Sequence, residues 1–318
     1  MTLRLPLFAL LSFSLLACAQ QEKLALDTSL SPRAMLEEGR RYMVSASRPS
    51  SPELACDYFQ RASELGETEG LTLLGECYSL GTGRQKNFTQ AVELFQRGVA
   101  ASEVTALCAL GNMQVTGRGI AKDEAAGIAL CRQGAEKGEV SAQISLANFY
   151  RKGTGVLLSY KDAEFWLQKA LARNSAAAEV VMGDMIAAGE GRQANLEEAV
   201  TWWRKAALRG RWNGMSRLAV YYGKLALVTV DGKRAVKPTY LVETFFWSAL
   251  ASGLAPPVEE VQKMIGGMRD LSGLMIAGTL PNGRELIEAR AEAGPSAPPP
   301  ADSEPIVIKT GPTRFRQA

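Results

Sequence analysis

Five cysteines (Cys18, Cys56, Cys77, Cys108 and Cys131) and no histidine define the side-chain chemistry open to this 318-residue chain. Without imidazole there is no Ser-His or Cys-His nucleophile and no histidine metal site. No two cysteines form a C-x-x-C pair, so we expect no metal and no cofactor. Neither a Ser-x-x-Lys nor a phosphate-cradling Gly-x-x-x-x-Gly-Lys occurs, and the scattered acids cannot be paired from sequence. The chain reads as non-enzymatic. What remains for the thiols is acylation or disulfide formation, and both depend on compartment and on which elements bring sulfurs together.

The compartment is written in the first residues. Arg4 precedes an apolar stretch from Leu5 to Leu16, too short to span a bilayer comfortably. Leu15-Leu16-Ala17-Cys18 resembles a bacterial lipobox. That resemblance implies a signal peptide over 1–17, lipidation of Cys18 and a tether over 18–30. Ala19 in place of an aspartate implies delivery to the outer membrane, facing the periplasm. An ordinary cleaved signal peptide beside a stray cysteine is the other reading. The net charge of +3 is well mixed, so no nucleic-acid footprint is visible.

The elements announce themselves by a period. Gly81 and Gly83 recur as Gly117 and Gly119, Gly153 and Gly155, and Gly189 and Gly191, always 36 residues apart. Gly39, Gly75, Gly111, Ala147, Gly183 and Ala219 keep the same step, and so do Tyr42, Tyr78, Tyr150 and Tyr222. Further along each unit, Ala55, Ala91, Gly127, Ala163 and Ala199 are small, and Tyr58, Leu94, Leu130, Trp166 and Trp202 are large. Gly66, Ser102, Gly138, Asn174 and Gly210 close the units. A period of this length means a stacked repeat array. Each unit reads as two helices. The small residues allow close helix approach, the large ones fill the groove, and glycine ends each helix at positive φ. Ser31-Pro32 and Ser51-Pro52 are good helix starts.

The pattern A-x-x-x-LG-x-x-Y-x-x-G-x-G, followed by D-x-x-x-A-x-x-W-x-x-x-A-A-x-x-G, is nearly complete in residues 178–210. It resembles the Sel-1-like repeat (SLR), a relative of the tetratricopeptide repeat. The expected fold is therefore an all-α solenoid of about six helix-turn-helix units over 31–253. Ser45 and Ser47 replace the glycines of the first unit, which predicts a looser loop there. Seven extra residues enter the sixth unit within 225–238, and a projecting loop is expected. Residues 254–293, with "PNGRELIEARAEA", resemble the capping helices that close such arrays. The Pro-rich stretch 294–318 reads as a disordered tail, either bare or with a short sticky segment at 305–316.

Helix positions then place the thiols. Cys108 and Cys131 fall on the two antiparallel helices of one unit. Cys56 falls on a second helix and Cys77 on the first helix of the next unit, with the turn at Gly66 midway. Both pairs meet the geometric requirement for a bridge in outline, and an oxidising periplasm favours bridging over free thiols that small repeat positions simply tolerate. Cysteine-rich members of the resembled family cross-link their helix pairs in a similar way, which favours Cys108–Cys131 first and Cys56–Cys77 second.

Solenoids bind partners on the concave face lined by first helices. By analogy with tetratricopeptide grooves, Arg40, Glu76, Asn112, Asn148, Asp184 and Val220 form a row into that face, extended by Arg151 and Lys152. The row is either a groove for an extended peptide or a solvated helix face. Trp203, Trp212, Phe246 and Trp247 are either a sticky patch or inter-repeat packing. The resemblance implies a protein-interaction scaffold or adaptor in the bacterial envelope, with known relatives in exopolysaccharide secretion complexes. Its alternatives are a periplasmic immunity protein neutralising a secreted phospholipase, a signalling regulator, and, last, a β-lactam-binding enzyme. The expected partners are an envelope protein and the membrane through the lipid.

Overall fold

The computed structural model describes residues 26–43, 51–254, 282–299 and 304–307, with scattered positions between 263 and 280. The leader 1–17, Cys18, most of the tether, and Ser45 and Ser47 lie outside the described residues. Helices α1 (Pro32–Met43), α2 (Pro52–Glu64), α3 (Glu69–Leu80), α4 (Phe88–Ala100), α5 (Val104–Thr116) and α6 (Glu124–Glu136) form the first three hairpins. They continue as α7 (Val140–Lys152), α8 (Tyr160–Ala172), α9 (Ala176–Ala188), α10 (Leu196–Leu208) and α11 (Trp212–Ala226). Strands β1 (Leu227–Val230) and β2 (Lys233–Val236) follow, then α12 (Pro238–Leu254), α13 (Gly283–Ala293) and β3 (Ile306–Val307). Among the described residues no helix is long and apolar enough to cross a membrane.

The repeat glycines divide the work between two physical demands. Gly81, Gly117, Gly153 and Gly189 are left-handed C-caps, with φ between 64° and 76°. The second glycine of each pair also has positive φ, and it answers a close approach. A Cβ on Gly83 would lie 2.1 Å from the Pro52 carbonyl oxygen of the preceding unit, and one on Gly119 would lie 2.4 Å from the Phe88 backbone. At Gly83 and Gly119 backbone thus meets backbone across units, whereas Gly155 and Gly191 meet the side chains of Ile128 and Glu124 and of Tyr160. Side-chain caps start the second helices: Ser51, Asn87, Asp123, Ser159 and Asn195 each accept a backbone N–H three residues on.

Within each hairpin the small residues face each other, as the period predicts. The residue that packs on the glycine is the one that follows the periodic large position. Gly39, Gly75 and Gly183 lie under Phe59, Phe95 and Trp203, not under Tyr58, Leu94 and Trp202. The helix carries 100° of rotation per residue, so neighbouring large residues leave it in different directions: Phe59 covers Gly39 while Tyr58 stacks on Tyr42 of the same hairpin. Trp203, Phe246 and Trp247 are accordingly buried core, and only Trp212 stays half-exposed. This settles Trp203, Phe246 and Trp247 as packing rather than patch.

The insertion is not a loop. It folds as a hairpin, β1 antiparallel to β2, turning at Asp231-Gly232 with both residues at positive φ. Asp231-Gly232 directly after Val228-Thr229-Val230 is the sequence signal for this hairpin. Two described residues of the tail, inside the segment 305–316 singled out in the sequence, are paired. Ile306 and Val307 pair with Val236 and Ala235, so β3 covers the outer edge of β2. The Arg204 guanidinium donates to the Ala297 carbonyl (3.2 Å) and holds the tail on the last hairpins. α13 docks as a cap, with Leu286 and Ile287 packed against Leu241, Val242, Ile276 and Leu280.

Candidate partner-binding face

Both expected disulfides are present. Cys108–Cys131 joins α5 to α6 within one unit, with Cα atoms 4.0 Å apart. Cys56–Cys77 joins α2 to α3 across a unit boundary, with Cα atoms 6.3 Å apart. Cys131 occupies the position held by Phe59, Phe95 and Trp203 in other units, and its sulfur lies over Gly111. The bridge therefore replaces the aromatic packing of the third hairpin. Closing loops of 21 and 23 residues is worth about 3 kcal/mol each on the chain-entropy model.

First helices line the inner face. Residues from α3, α5 and the start of α7 surround one hollow, which holds Glu69, Glu76, Glu139 and Asn112 with the hydroxyls of Thr72, Thr105 and Ser145. A second hollow of about 430 Å³ adjoins it through Leu73 and Glu76. There the superhelix brings Gly210, Arg211, Trp212 and Leu254 across from Arg40, Met43, Leu80 and Thr82 of the first two units.

The row read from the sequence sits on these helices, but most of it is occupied. Arg40 pairs with Glu69 of the next unit and with Glu37 of its own helix. Asn112 donates to Ser145 Oγ (3.4 Å). Arg151 makes a two-pronged pair with Glu190 and also donates to Asn148 Oδ1 (3.2 Å). Asp184 accepts from Arg217 (2.8 and 3.0 Å) and from the Trp203 indole (3.1 Å). Four of the seven polar groups thus stitch neighbouring units together, so that the row is in large part a ladder within the solenoid. The sequence shows such residues in register but not whom they bond.

Glu76 and Lys152 are the exceptions, with no side-chain hydrogen bond or ion pair among the described residues. Glu76 is exposed as a residue, and it lines both hollows. Desolvation by the surrounding protein, with repulsion from Glu139 and Glu69 only partly offset by Arg40, pushes its pKa up to about 7. Burial lowers the pKa of the Arg211 guanidinium. Arg211 has no ion partner among the described residues and makes no side-chain cap on α11. Sequence reasoning missed Arg211, Thr82 and Glu139 here, because they enter the face from turns rather than from the helical row.

The Sel1 repeat family model matches residues 32–67, 68–102, 104–139, 140–175, 176–210 and 212–237. Among solved structures, a Sel1 repeat protein from Oxalobacter formigenes is 22% identical, over 81% of this chain and 93% of that one, with a TM-score of 0.47. A protective antigen of uropathogenic Escherichia coli with an SLR fold is 24% identical, over 92% and 60%, at 0.43. An immunity protein from Pseudomonas aeruginosa is 15% identical, over 78% and 84%, at 0.47. No curated protein matches the chain.

Proposed function

Because the chain belongs to the Sel1 repeat family of protein-interaction scaffolds, we propose that it is an adaptor of the bacterial envelope that receives a protein partner on its concave face. One observation carries this reading: two adjoining hollows on the inner face keep Glu76 and Arg211 without ionic partners. A solenoid held only for its own stability has no need of unpaired charge there, since desolvating a charge costs free energy. The lipobox-like segment ending in Cys18 supports attachment to the outer membrane and, in that setting, a role in assembling an exopolysaccharide secretion complex.

The test is cross-linked capture from native envelopes, with tagged full-length protein beside a Cys18→Ser form. One dominant partner belonging to a secretion assembly, lost from the Cys18→Ser sample, is the expected result. A phospholipase as the single stoichiometric partner would overturn the assembly role. Recovery of no specific protein from either form would overturn the adaptor reading itself.

A further inference from the structure

The inner hollow facing both the first two units and the start of α11 has the chemistry of a side-chain pocket. Its walls are apolar: Met43, Leu73, Leu80, Trp212 and Leu254. Leu80 is 54% exposed in the free chain, unusual for a leucine at the mouth of a concave wall. One rim is acidic. Glu76 borders both hollows, and Glu69 and Glu139 share the adjoining one. Arg40 and Arg211 line the same hollow, and the Arg40 guanidinium is already paired with Glu37 and Glu69. Glu139 is partly engaged as the cap of α7, where its carboxylate accepts from Ser141 and Ala142. Glu76 faces the hollow with no cation of its own.

A second and independent observation comes from Thr82. It is only 5% exposed, lines the hollow, and its Oγ1 has no hydrogen-bond partner. An unpaired buried hydroxyl costs on the order of 1–3 kcal/mol. A bound chain that supplies a backbone carbonyl or N–H would relieve that cost. Arg211, without an ion partner, offers donors to backbone carbonyls on the opposite wall.

Resting on the adaptor reading above, we infer that this hollow takes an extended segment of the partner protein in which an apolar side chain stands next to an arginine or lysine. The apolar side chain enters between Leu80, Trp212 and Leu254. The basic residue lies toward Glu76 and Glu139, and the backbone meets Thr82 and Arg211. Glu69, Glu76 and Glu139 gather at this rim, and Glu76 makes no ion pair among the described residues, so a cation complements it. An acidic segment would meet repulsion from the same three carboxylates.

The pocket is tested with synthetic peptides and the purified chain, by fluorescence polarisation. The probe is the capped heptapeptide Gly-Ala-Arg-Phe-Arg-Ala-Gly. Its controls carry Glu in place of Arg, or Ala in place of Phe. The expected result is binding of the Arg-Phe-Arg peptide at least tenfold tighter than either control. Glu76→Gln and Leu80→Glu each reduce that affinity at least fivefold, and both variants keep the wild-type circular dichroism because both positions are exposed. Affinity also rises between pH 6 and pH 8, as Glu76 ionises, and this rise is absent in Glu76→Gln. Equal affinity for all three peptides, or an affinity untouched by Glu76→Gln, would overturn the pocket. The two readings fail separately: a partner captured from envelopes that Leu80→Glu still binds keeps the adaptor and removes the pocket, and capture of no specific protein removes the adaptor.

Discussion

Arg290 of α13 and Glu243 of α12 form an ion pair with both side chains withdrawn from solvent, at 3% and 0% exposure. The Trp247 indole also donates to Glu243 (2.9 Å), and the guanidinium lies 4.1 Å above the Phe246 ring. This is the bolt that fastens the capping helix to the last hairpin. A terminal unit has no neighbour to bury its face, so its cap must be held by something specific.

Removing one partner strands the other. Arg290→Ala is expected to destabilise the chain by about 3–5 kcal/mol, the usual cost of leaving a buried charge unpaired. Replacing both groups with apolar residues, Glu243→Leu with Arg290→Met, should restore most of that loss. Urea unfolding of the three proteins checks it. A double variant as unstable as Arg290→Ala would show that the pair contributes more than mutual compensation.

The unit glycines should differ sharply in tolerance. Gly119→Ala puts a methyl group 2.4 Å from backbone atoms of the preceding unit and must shift one against the other. A loss of more than about 2 kcal/mol is expected, beyond the ~1 kcal/mol typical of alanine at positive φ. Gly66 also has positive φ, but nothing lies within 4 Å of its would-be Cβ. Gly66→Asn should therefore cost well under 1 kcal/mol, since asparagine tolerates the left-handed region. Ser102 and Asn174 already occupy the equivalent turn position at φ of 63° and 55°. Thermal unfolding of both variants separates approach from conformation.

The two bridges act on different scales. Cys108→Ser with Cys131→Ser removes both the cross-link and the packing over Gly111, so its cost should exceed the ~3 kcal/mol of the loop term alone. Cys56→Ser with Cys77→Ser should loosen the boundary between the first and second units. Hydrogen exchange should then show faster opening of α1 and α2 in that variant, with α5 and α6 unchanged. Peptide mapping without reduction should recover both linked pairs from oxidised protein.

Glu76 makes stability depend on pH in a calculable direction. Its pKa is about 7 in the folded chain, raised from the ordinary carboxyl value of 4.5. A raised carboxyl pKa favours the folded state while the group is protonated, so its contribution is lost as pH rises from about 4.5 through 7. Wild type should therefore lose more stability between pH 5 and pH 8 than Glu76→Gln does. Equal slopes for the two proteins would show that the carboxyl is solvated well enough to escape its neighbours.

The solenoid was legible in the chain because each unit must satisfy the same local demands: a glycine at positive φ, a small residue at a helix crossing, a capping side chain. Those demands repeat every 36 residues, so one unit explains the next. The disulfides were legible for the same reason, since helix position alone brings Cys56 near Cys77 and Cys108 near Cys131. What depends on twist between units was not. Whether Trp202 or Trp203 packs on Gly183 turns on 100° of helix rotation. Whether Asp184 is free or held by Arg217 turns on how the next unit stacks. Arg211 and Leu254 meet Glu76 and Leu80 only because small rotations add up over several units until distant parts of the chain share one hollow. Local residue types carry no record of that sum, so the repeat belongs to the sequence and the inner face to the tertiary structure.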